Sequence, residues 1–229
     1  KNAKCTNTGF AIGYMTQSIV AGASVLGFGS IGSGSNSTAL GNYAKASGFA
    51  SIAIGCEPSG YYTEASAQYS VAIGNRALSA ITGKLAYTGR AFSDNGDAQQ
   101  GTFVLLSDTT DATAEALTTN KSTAGTTNQI NLANNSAYTF SGTIVAREKA
   151  SEGTDVGSWE VKGIIRREAN AGTTVLVNSV INEFNAPTGW AVALTADTTL
   201  GCLKIAVTGV ASTNIRWVAT IQTSEVMYA

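Results

Sequence analysis

A short apolar pattern recurs along the first third of the chain. An aliphatic residue is followed by a glycine five times, and these glycines are separated by three intervals of fourteen residues and one of nineteen. Because a strand places alternate side chains on opposite faces, the residues around each glycine can form a short strand. Such a fixed period predicts a parallel β-solenoid with two short strands per coil. The repeated pairs are Ile12 and Gly13, Leu26 and Gly27, Leu40 and Gly41, Ile54 and Gly55, and Ile73 and Gly74.

Each position of the repeat has a chemical type that suggests its place in the coil. We expect the aliphatic residue before the glycine to fill the interior. The residue before it is alanine in four coils and Val25 in the other, and we expect this small side chain to let a neighbouring chain approach closely. The glycine suits a tight corner, where a positive φ or a missing Cβ is required. The long interval contains a five-residue insertion within Cys56–Tyr62, which we place at a corner.

A fourteen-residue coil is thin. One or two aliphatic side chains per coil bury too little apolar surface to offset the conformational entropy lost on ordering the chain. We therefore expect three identical chains to associate through these coils as a homotrimer. The repeat is already under way near Lys1, so we also expect this chain to be the C-terminal part of a longer polypeptide.

Beyond the repeat the pattern changes to longer alternating runs separated by Asn, Asp, Gly and Thr. In the clearest run, Ile215, Trp217, Ala219 and Ile221 form one face. Eight strands and no helix indicate an antiparallel, jelly-roll-like β-sandwich. The strands are predicted near Gly101–Leu106, Thr127–Leu132, Ser136–Glu148, Ser158–Glu168, Thr173–Val177, Trp190–Asp197, Leu203–Thr208 and Asn214–Val226.

The predicted fold class is therefore all-β, with a trimeric left-handed parallel β-roll followed by an antiparallel sandwich. The β-roll covers residues 1–82 and the β-sandwich tip domain covers residues 98–229. Residues 83–97 lack the repeat and are rich in turn residues, so we interpret them as a linker.

Composition and charge narrow the function. Charged residues make up 13% of the chain, about half of the ~25% usual in soluble domains, and the net charge is −1. This charge gives no electrostatic basis for binding nucleic acid. No apolar run approaches the roughly 20 residues that span a bilayer, so we expect no membrane insertion. The absence of histidine excludes Ser-His-Asp and Cys-His nucleophiles and the usual zinc sites.

Few residues suggest chemistry. Asp108, Asp111 and Glu115 lie close in sequence but lack the spacing of a calcium loop, and we interpret them as solvated. The three scattered cysteines are interpreted as isolated thiols. We predict no metal, no cofactor and no enzymatic activity. A saccharide site needs exposed aromatic side chains on a rigid scaffold. The candidate receptor-binding residues are Tyr61 and Tyr62 in the insertion, with Phe184 and Trp190 in the second domain, although a core position is the more ordinary one for Trp190.

The stretches Ser51–Gly55 and Ser70–Ala77 follow the repeat most regularly. They resemble the head repeats of YadA-like trimeric adhesins, and this resemblance covers roughly residues 5–82. It implies a left-handed parallel β-roll built from three chains; similar repeats occur in bacteriophage tail fibres. Residues 91–229 resemble a C-terminal module of phage tail fibres, with landmarks at Asn95–Gln99, Thr109–Thr113, Ile144–Arg147, Trp190–Val192 and Ile215–Ala219.

Together these features predict a homotrimeric phage tail fibre segment, located in the virion and extracellular, that attaches to a host-surface glycan or protein. The expected partners are two identical chains, other virion tail proteins and the host receptor. Two alternatives stay open: a structural virion fibre or connector without a receptor, and the head of a bacterial trimeric autotransporter adhesin. A glycan-cleaving tailspike is disfavoured, because it usually needs a long parallel β-helix with clustered carboxylates.

Overall fold

The computed structural model describes residues 3–6, 8–56 and 60–228. Within them the regular secondary structure is β-strand except for a single 3-10 turn at Ala171–Thr173, and turns and loops join the strands. The all-β prediction is confirmed. None of the described residues belongs to a helix long and apolar enough to cross a membrane. The chain divides into two compact units: Lys1–Gly101 with Glu225–Ala229, and Thr102–Ser224.

The first unit is built on a parallel β-solenoid of about six turns, as the repeat predicts. Its strands alternate between two parallel sheets, in the orders β1-β3-β5-β7-β9-β11 and β2-β4-β6-β8-β10-β12. Numbered along the chain, they are β1 (Lys4–Cys5), β2 (Phe10–Tyr14), β3 (Gln17–Ser18), β4 (Ser24–Phe28), β5 (Ile31–Gly32), β6 (Thr38–Asn42), β7 (Ala44–Ala46), β8 (Ile52–Cys56), β9 (Thr63–Ala65), β10 (Val71–Gly74), β11 (Leu78–Ser79) and β12 (Leu85–Thr88).

Strand register follows the sequence repeat. Each repeat glycine is the Cα partner of the next, and the pairing of Gly55 with Gly74 spans the long interval. The extra residues therefore leave the register unchanged, since they are accommodated between β8 and β9. Residues 57–59 of this insertion lie outside the described residues.

The solenoid continues for two strands, β11 and β12, beyond the last repeat glycine. β12 pairs in parallel with β10, and Thr88 stands opposite Gly74. This strand lies within residues 83–97, which the sequence suggested as a linker.

The predicted filling of the coil is wrong, because the aliphatic residues before the glycines lie outside. Ile12 is 50% exposed and Leu26 is 48% exposed. A coil only two strands wide is filled by side chains of one to three carbons, and packing at native density leaves no room for a larger one. The interior therefore holds the small residues that we had expected to face a neighbouring chain. The buried cluster is Val25, Ala39, Ala44, Ala46, Ala53, Ala65, Ala72, Ala77 and Ala86.

Gly27 and Gly41 show why glycine recurs. Their φ angles are 142° and 100°, which side chains with a Cβ rarely adopt. A Cβ on Gly27 would lie 1.8 Å from the carbonyl oxygen of Gly41, and one on Gly41 would lie 2.1 Å from that of Gly55. Both of the predicted reasons, positive φ and close backbone approach, apply at these two positions.

The second unit is antiparallel. One sheet has the order β18-β17-β16-β21-β13, and the other has the order β14-β20-β15, with β19 also paired to β20. Every predicted strand overlaps an observed one; β14 was missed, and β18 extends well beyond the predicted Thr173–Val177. The strands are β13 (Ala98–Thr109), β14 (Ala114–Ala116), β15 (Ile130–Asn131), β16 (Ser136–Glu148), β17 (Val156–Arg167), β18 (Val175–Asn185), β19 (Ala191–Asp197), β20 (Cys202–Thr208) and β21 (Ile215–Met227).

Three tryptophans form the centre of the second unit. The Trp217 ring centroid lies 5.4 Å from that of Trp159 and 5.5 Å from that of Trp190. The indole nitrogen of Trp217 donates a 2.9 Å hydrogen bond to the Thr109 hydroxyl, so its buried polar atom is satisfied. Burial alternates along β21, which confirms the predicted apolar face that begins at Ile215.

Candidate functional site

One corner of the solenoid carries a run of aromatic rings, which we call the aromatic corner: Tyr14, Phe28, Tyr43, Tyr61 and Tyr62. The rings lie close together because the repeat brings the same or adjacent positions of successive coils to this corner. Ring centroids are 5.2 Å apart for Tyr14 and Phe28, 5.5 Å for Phe28 and Tyr43, and 5.9 Å for Tyr43 and Tyr62. These distances are typical of favourable aromatic pairs.

The predicted receptor-binding residues Tyr61 and Tyr62 lie at the end of this corner. Tyr61 is 50% exposed, and the Arg76 guanidinium carbon lies 3.7 Å from its ring centroid. Arg76 is itself held by a 2.6 Å hydrogen bond to the Ser93 carbonyl. The Asn95 side chain donates to the Tyr62 carbonyl at 2.7 Å. Both tyrosines are therefore positioned by neighbouring groups, and the exposed Tyr61 ring is accessible to a ligand.

The other two candidates occupy different environments. Phe184 is 69% exposed and lies near the end of β18, which extends beyond the strand predicted there. Trp190 is 6% exposed and packs on Trp217, so its ring is part of the core. The structure thus groups Tyr61 with Tyr62 and places Phe184 on a separate strand.

Two of the three acidic residues considered for chemistry make local contacts, and the third, Glu115, is exposed on β14. Asp108 forms an ion pair with Lys121, and Asp111 accepts a hydrogen bond from the Thr113 N–H, which lowers the pKa of Asp111. In the described part of the chain no group of three or more acidic or cysteine side chains is placed to hold a metal ion. Burial raises the pKa of Cys202 to about 11, so this thiol is a weak nucleophile at neutral pH.

Sequence reasoning missed most of the aromatic corner. Tyr14 and Phe28 directly follow repeat glycines, and Tyr43 lies two residues after Gly41. The repeat period alone could therefore have predicted that these rings lie together. Arg76 was not identified because its contact with Tyr61 depends on how the insertion returns to the coil. Chemically, the corner offers ring faces flanked by the cations Lys45 and Arg76.

Comparison with protein families gives one match. Residues 33–55 and 59–77 match the model of the YadA head domain repeat, in two copies. These residues include β6 to β10 of the solenoid and make up less than half of the chain. No curated protein matches the chain.

Two similar solved structures are phage proteins. One is the tailspike protein gp49 of Acinetobacter baumannii bacteriophage Fri1, a capsular polysaccharide depolymerase, with a TM-score of 0.32 and 9% identity over 89% of this chain and 46% of that one. The other is the tailspike protein of Acinetobacter baumannii phage AM24, with a TM-score of 0.26 and 9% identity over 93% of this chain and 48% of that one. This chain spans about half the length of each.

The prediction that the chain is not an enzyme is corrected by this comparison, because one matched structure is a depolymerase. The absence of histidine does not exclude chemistry that needs only two carboxylates. We therefore withdraw the exclusion of enzymes, while TM-scores this low transfer no activity to this chain. The solenoid is similar to the YadA head domain repeat, and the backbone corresponds loosely to phage tailspike proteins.

Proposed function

We propose that three copies of this chain form a segment of a phage tail fibre that attaches the virion to a glycan on the host cell surface. In this proposal the solenoid, a left-handed roll, is the stalk, and the second unit is a jelly-roll-like β-sandwich at the tip. The two antiparallel sheets of the second unit, with Trp217 and Ile205 buried, support the sandwich.

The observation that carries the proposal is an exposed apolar face on the first unit. It is formed by outward-facing residues of β2, β4 and β8, at the positions before each repeat glycine and two places earlier, and by the residues of β12 in equivalent register. We call it the aliphatic face. Exposed apolar patches of more than a few hundred Å² mark interaction surfaces on soluble proteins. Its most exposed members are Phe10, Ile12, Leu26, Ile52, Ile54, Leu85 and Tyr87.

Association through this face would stabilise a coil that is thin on its own. The interior is filled mainly by alanine, which buries little apolar area per coil. The aliphatic face repeats with the coils, so identical chains in register would bury it along the whole roll. The proposed number of chains, three, rests on the resemblance of the repeats to trimeric adhesin heads. The match of residues 33–55 and 59–77 to the YadA head repeat supports it.

The first test is the oligomeric state. Native mass spectrometry should give a complex of three 23.4 kDa chains. A variant with Leu26→Glu and Ile54→Glu should be monomeric, because burying an unpaired carboxylate costs several kcal/mol. The double variant Ser35→Glu with Gln68→Glu is the matched control: it adds two carboxyl groups at exposed turn positions outside the aliphatic face and should stay trimeric. A monomeric wild-type chain would contradict the proposal.

The second test is attachment. On an array of bacterial surface polysaccharides, the wild-type trimer should bind at least one glycan. Replacing Tyr61 and Tyr62 by Ala should weaken that binding by about tenfold or more, because aromatic side chains dominate such contacts. Tyr69→Ala removes an exposed ring outside the aromatic corner and is the control, which should leave binding unchanged. Phe184→Ala tests the separate position on β18.

The same array discriminates among the alternatives. A trimer that binds no polysaccharide and no intact bacteria would favour a structural fibre or connector. Binding that persists in both the tyrosine and Phe184 variants would remove these residues from the attachment site. The depolymerase comparison makes a further readout useful: reducing ends released from a bound glycan would show cleavage as well as attachment.

A further inference from the structure

The second unit contains an open cavity of about 520 Å³. It lies where β16 ends and β21 begins, next to the end of β13. Ile215 and Ala150 contribute apolar lining, and five charged side chains surround it. This volume falls within the ~300–1,000 Å³ typical of small-molecule sites, which combine apolar walls with a few polar groups.

The cations of the cavity outnumber its carboxylates. Arg147, Lys149 and Arg216 line it, against Asp108 and Glu148. Both carboxylates already have donors. Asp108 pairs with Lys121 through Oδ2, and Glu148 Oε2 accepts the Asp155 N–H at 3.1 Å.

The two arginines are the groups best able to take an anion. Arg147 Nη1 donates to the Asp155 carbonyl at 3.2 Å, which orients the guanidinium, and within the described part of the chain Arg147 makes no ion pair. Arg216 is 87% exposed, with its Nε 3.9 Å from Asp108 Oδ1. A guanidinium offers several N–H donors in a planar fork that matches a carboxylate, and these contacts leave most of them available.

The wall between these residues is preformed. The Glu152 carboxylate accepts the Asn214 N–H and its side-chain amide, both at 2.7 Å, and the Lys149 N–H donates to the Asn214 carbonyl at 2.8 Å. The backbone and side-chain hydrogen bonds from Asn214 lower the pKa of Glu152, so the Glu152 carboxylate that makes these contacts is charged at neutral pH. The loop that follows β16 is thereby fixed to the start of β21. A fixed wall reduces the ordering cost of binding.

We propose that this cavity binds an acidic saccharide, with the carboxylate of a uronic acid held by Arg147 and Arg216 and the sugar ring beside the exposed Ala150. The choice of a saccharide rests on the proposed attachment to a glycan. The choice of a carboxylate rests on the cavity itself, since two guanidinium groups are not needed to bind a neutral sugar. The site is distinct from the aromatic corner, which belongs to the first unit.

The test is a titration of the whole chain by saturation-transfer difference NMR. D-glucuronate and D-galacturonate are the probes, D-glucose and D-galactose are their matched neutral sugars, and acetate represents the anion alone. A uronate should bind at least about tenfold more tightly than its neutral partner and than acetate. Arg147→Gln and Arg216→Gln should each weaken uronate binding by about tenfold, since each removes charged hydrogen bonds. Both side chains are exposed, so the variants should fold.

Lys162→Gln provides the control, because it removes an exposed cation of β17 outside the cavity and should leave uronate affinity unchanged. The inference is overturned if no uronate binds, if neutral sugars or acetate bind as tightly, or if both arginine variants bind like the wild type. Its failure is separable from that of the proposed function. A trimer that attaches to glycans but does not bind uronates would support the proposed function and contradict the uronate site. Uronate binding without glycan attachment would support the uronate site and contradict the proposed function.

Discussion

Asp97 shows how one side chain organises a loop. Its carboxylate is buried and accepts the backbone N–H groups of Phe92, Ser93 and Asp94 at 2.9, 2.6 and 2.7 Å. Burial alone would raise the pKa of Asp97, but these hydrogen bonds together outweigh it and lower the pKa below its usual value. The charged form therefore closes the turn that leads into β13.

Asp97→Asn should reduce the free energy of unfolding at pH 7 by about 1–3 kcal/mol. The side-chain NH2 of asparagine would face backbone N–H groups, and the negative charge that they bind would be lost. The pKa of Asp97 is lower in the folded than in the unfolded state. Its contribution to the free energy of unfolding is therefore fully present above the unfolded pKa of about 3.9 and is lost as the pH falls through the folded-state pKa. The difference between variant and wild type should therefore shrink from pH 7 to pH 3 in urea titrations. Asp94→Asn, an exposed acid in the same turn, is the control. A difference independent of pH would contradict this role.

At the scale of the strands, the sequence predicted which residues occupy the same position in successive coils. It did not predict whether that position faces the interior or the outside of the solenoid. The alternation of Leu26 with Val25 requires opposite faces, and both assignments satisfy it. Volume decides between them: a two-stranded coil has room for Val25 or Ala39 but not for a column of Leu and Ile. The larger side chain is the better interior residue in most folds, and the thinness of this solenoid reverses that preference.

β18 was predicted too short because neither of its faces is buried. All of its residues from Val175 to Asn185 are exposed or partly exposed, and it is the last strand of its sheet. Without one buried face the alternation of polar and apolar residues that identifies a strand is absent. By contrast, β21 is buried on one face and was predicted to within one residue at either end.

At the scale of the whole chain, sequence reasoning recovered the all-β class and the solenoid because both depend on local periodicity. The contacts that it could not supply join residues far apart. Lys84 Nζ lies 2.7 Å from Glu225 Oε2, and both side chains are almost completely buried, at 4% and 0% exposure. Gln99 Nε2 also donates to this carboxylate at 2.7 Å. This ion pair ties the C-terminal end of the chain into the first unit, where Glu225 belongs.

Glu225→Gln should therefore destabilise the protein by about 3–5 kcal/mol, because it removes the negative charge with which the buried Lys84 ammonium pairs. The double variant Lys84→Met with Glu225→Leu should recover most of that loss, since it removes both charges and keeps an apolar volume. Urea unfolding of Glu225→Gln, of the double variant and of its two single variants, Lys84→Met and Glu225→Leu, measures both effects, and Gln222→Ala, at an exposed position of β21, is the control. If the double variant were as unstable as the sum of its single variants, the pair would not be coupled, and the return of the chain to the first unit would depend on other contacts.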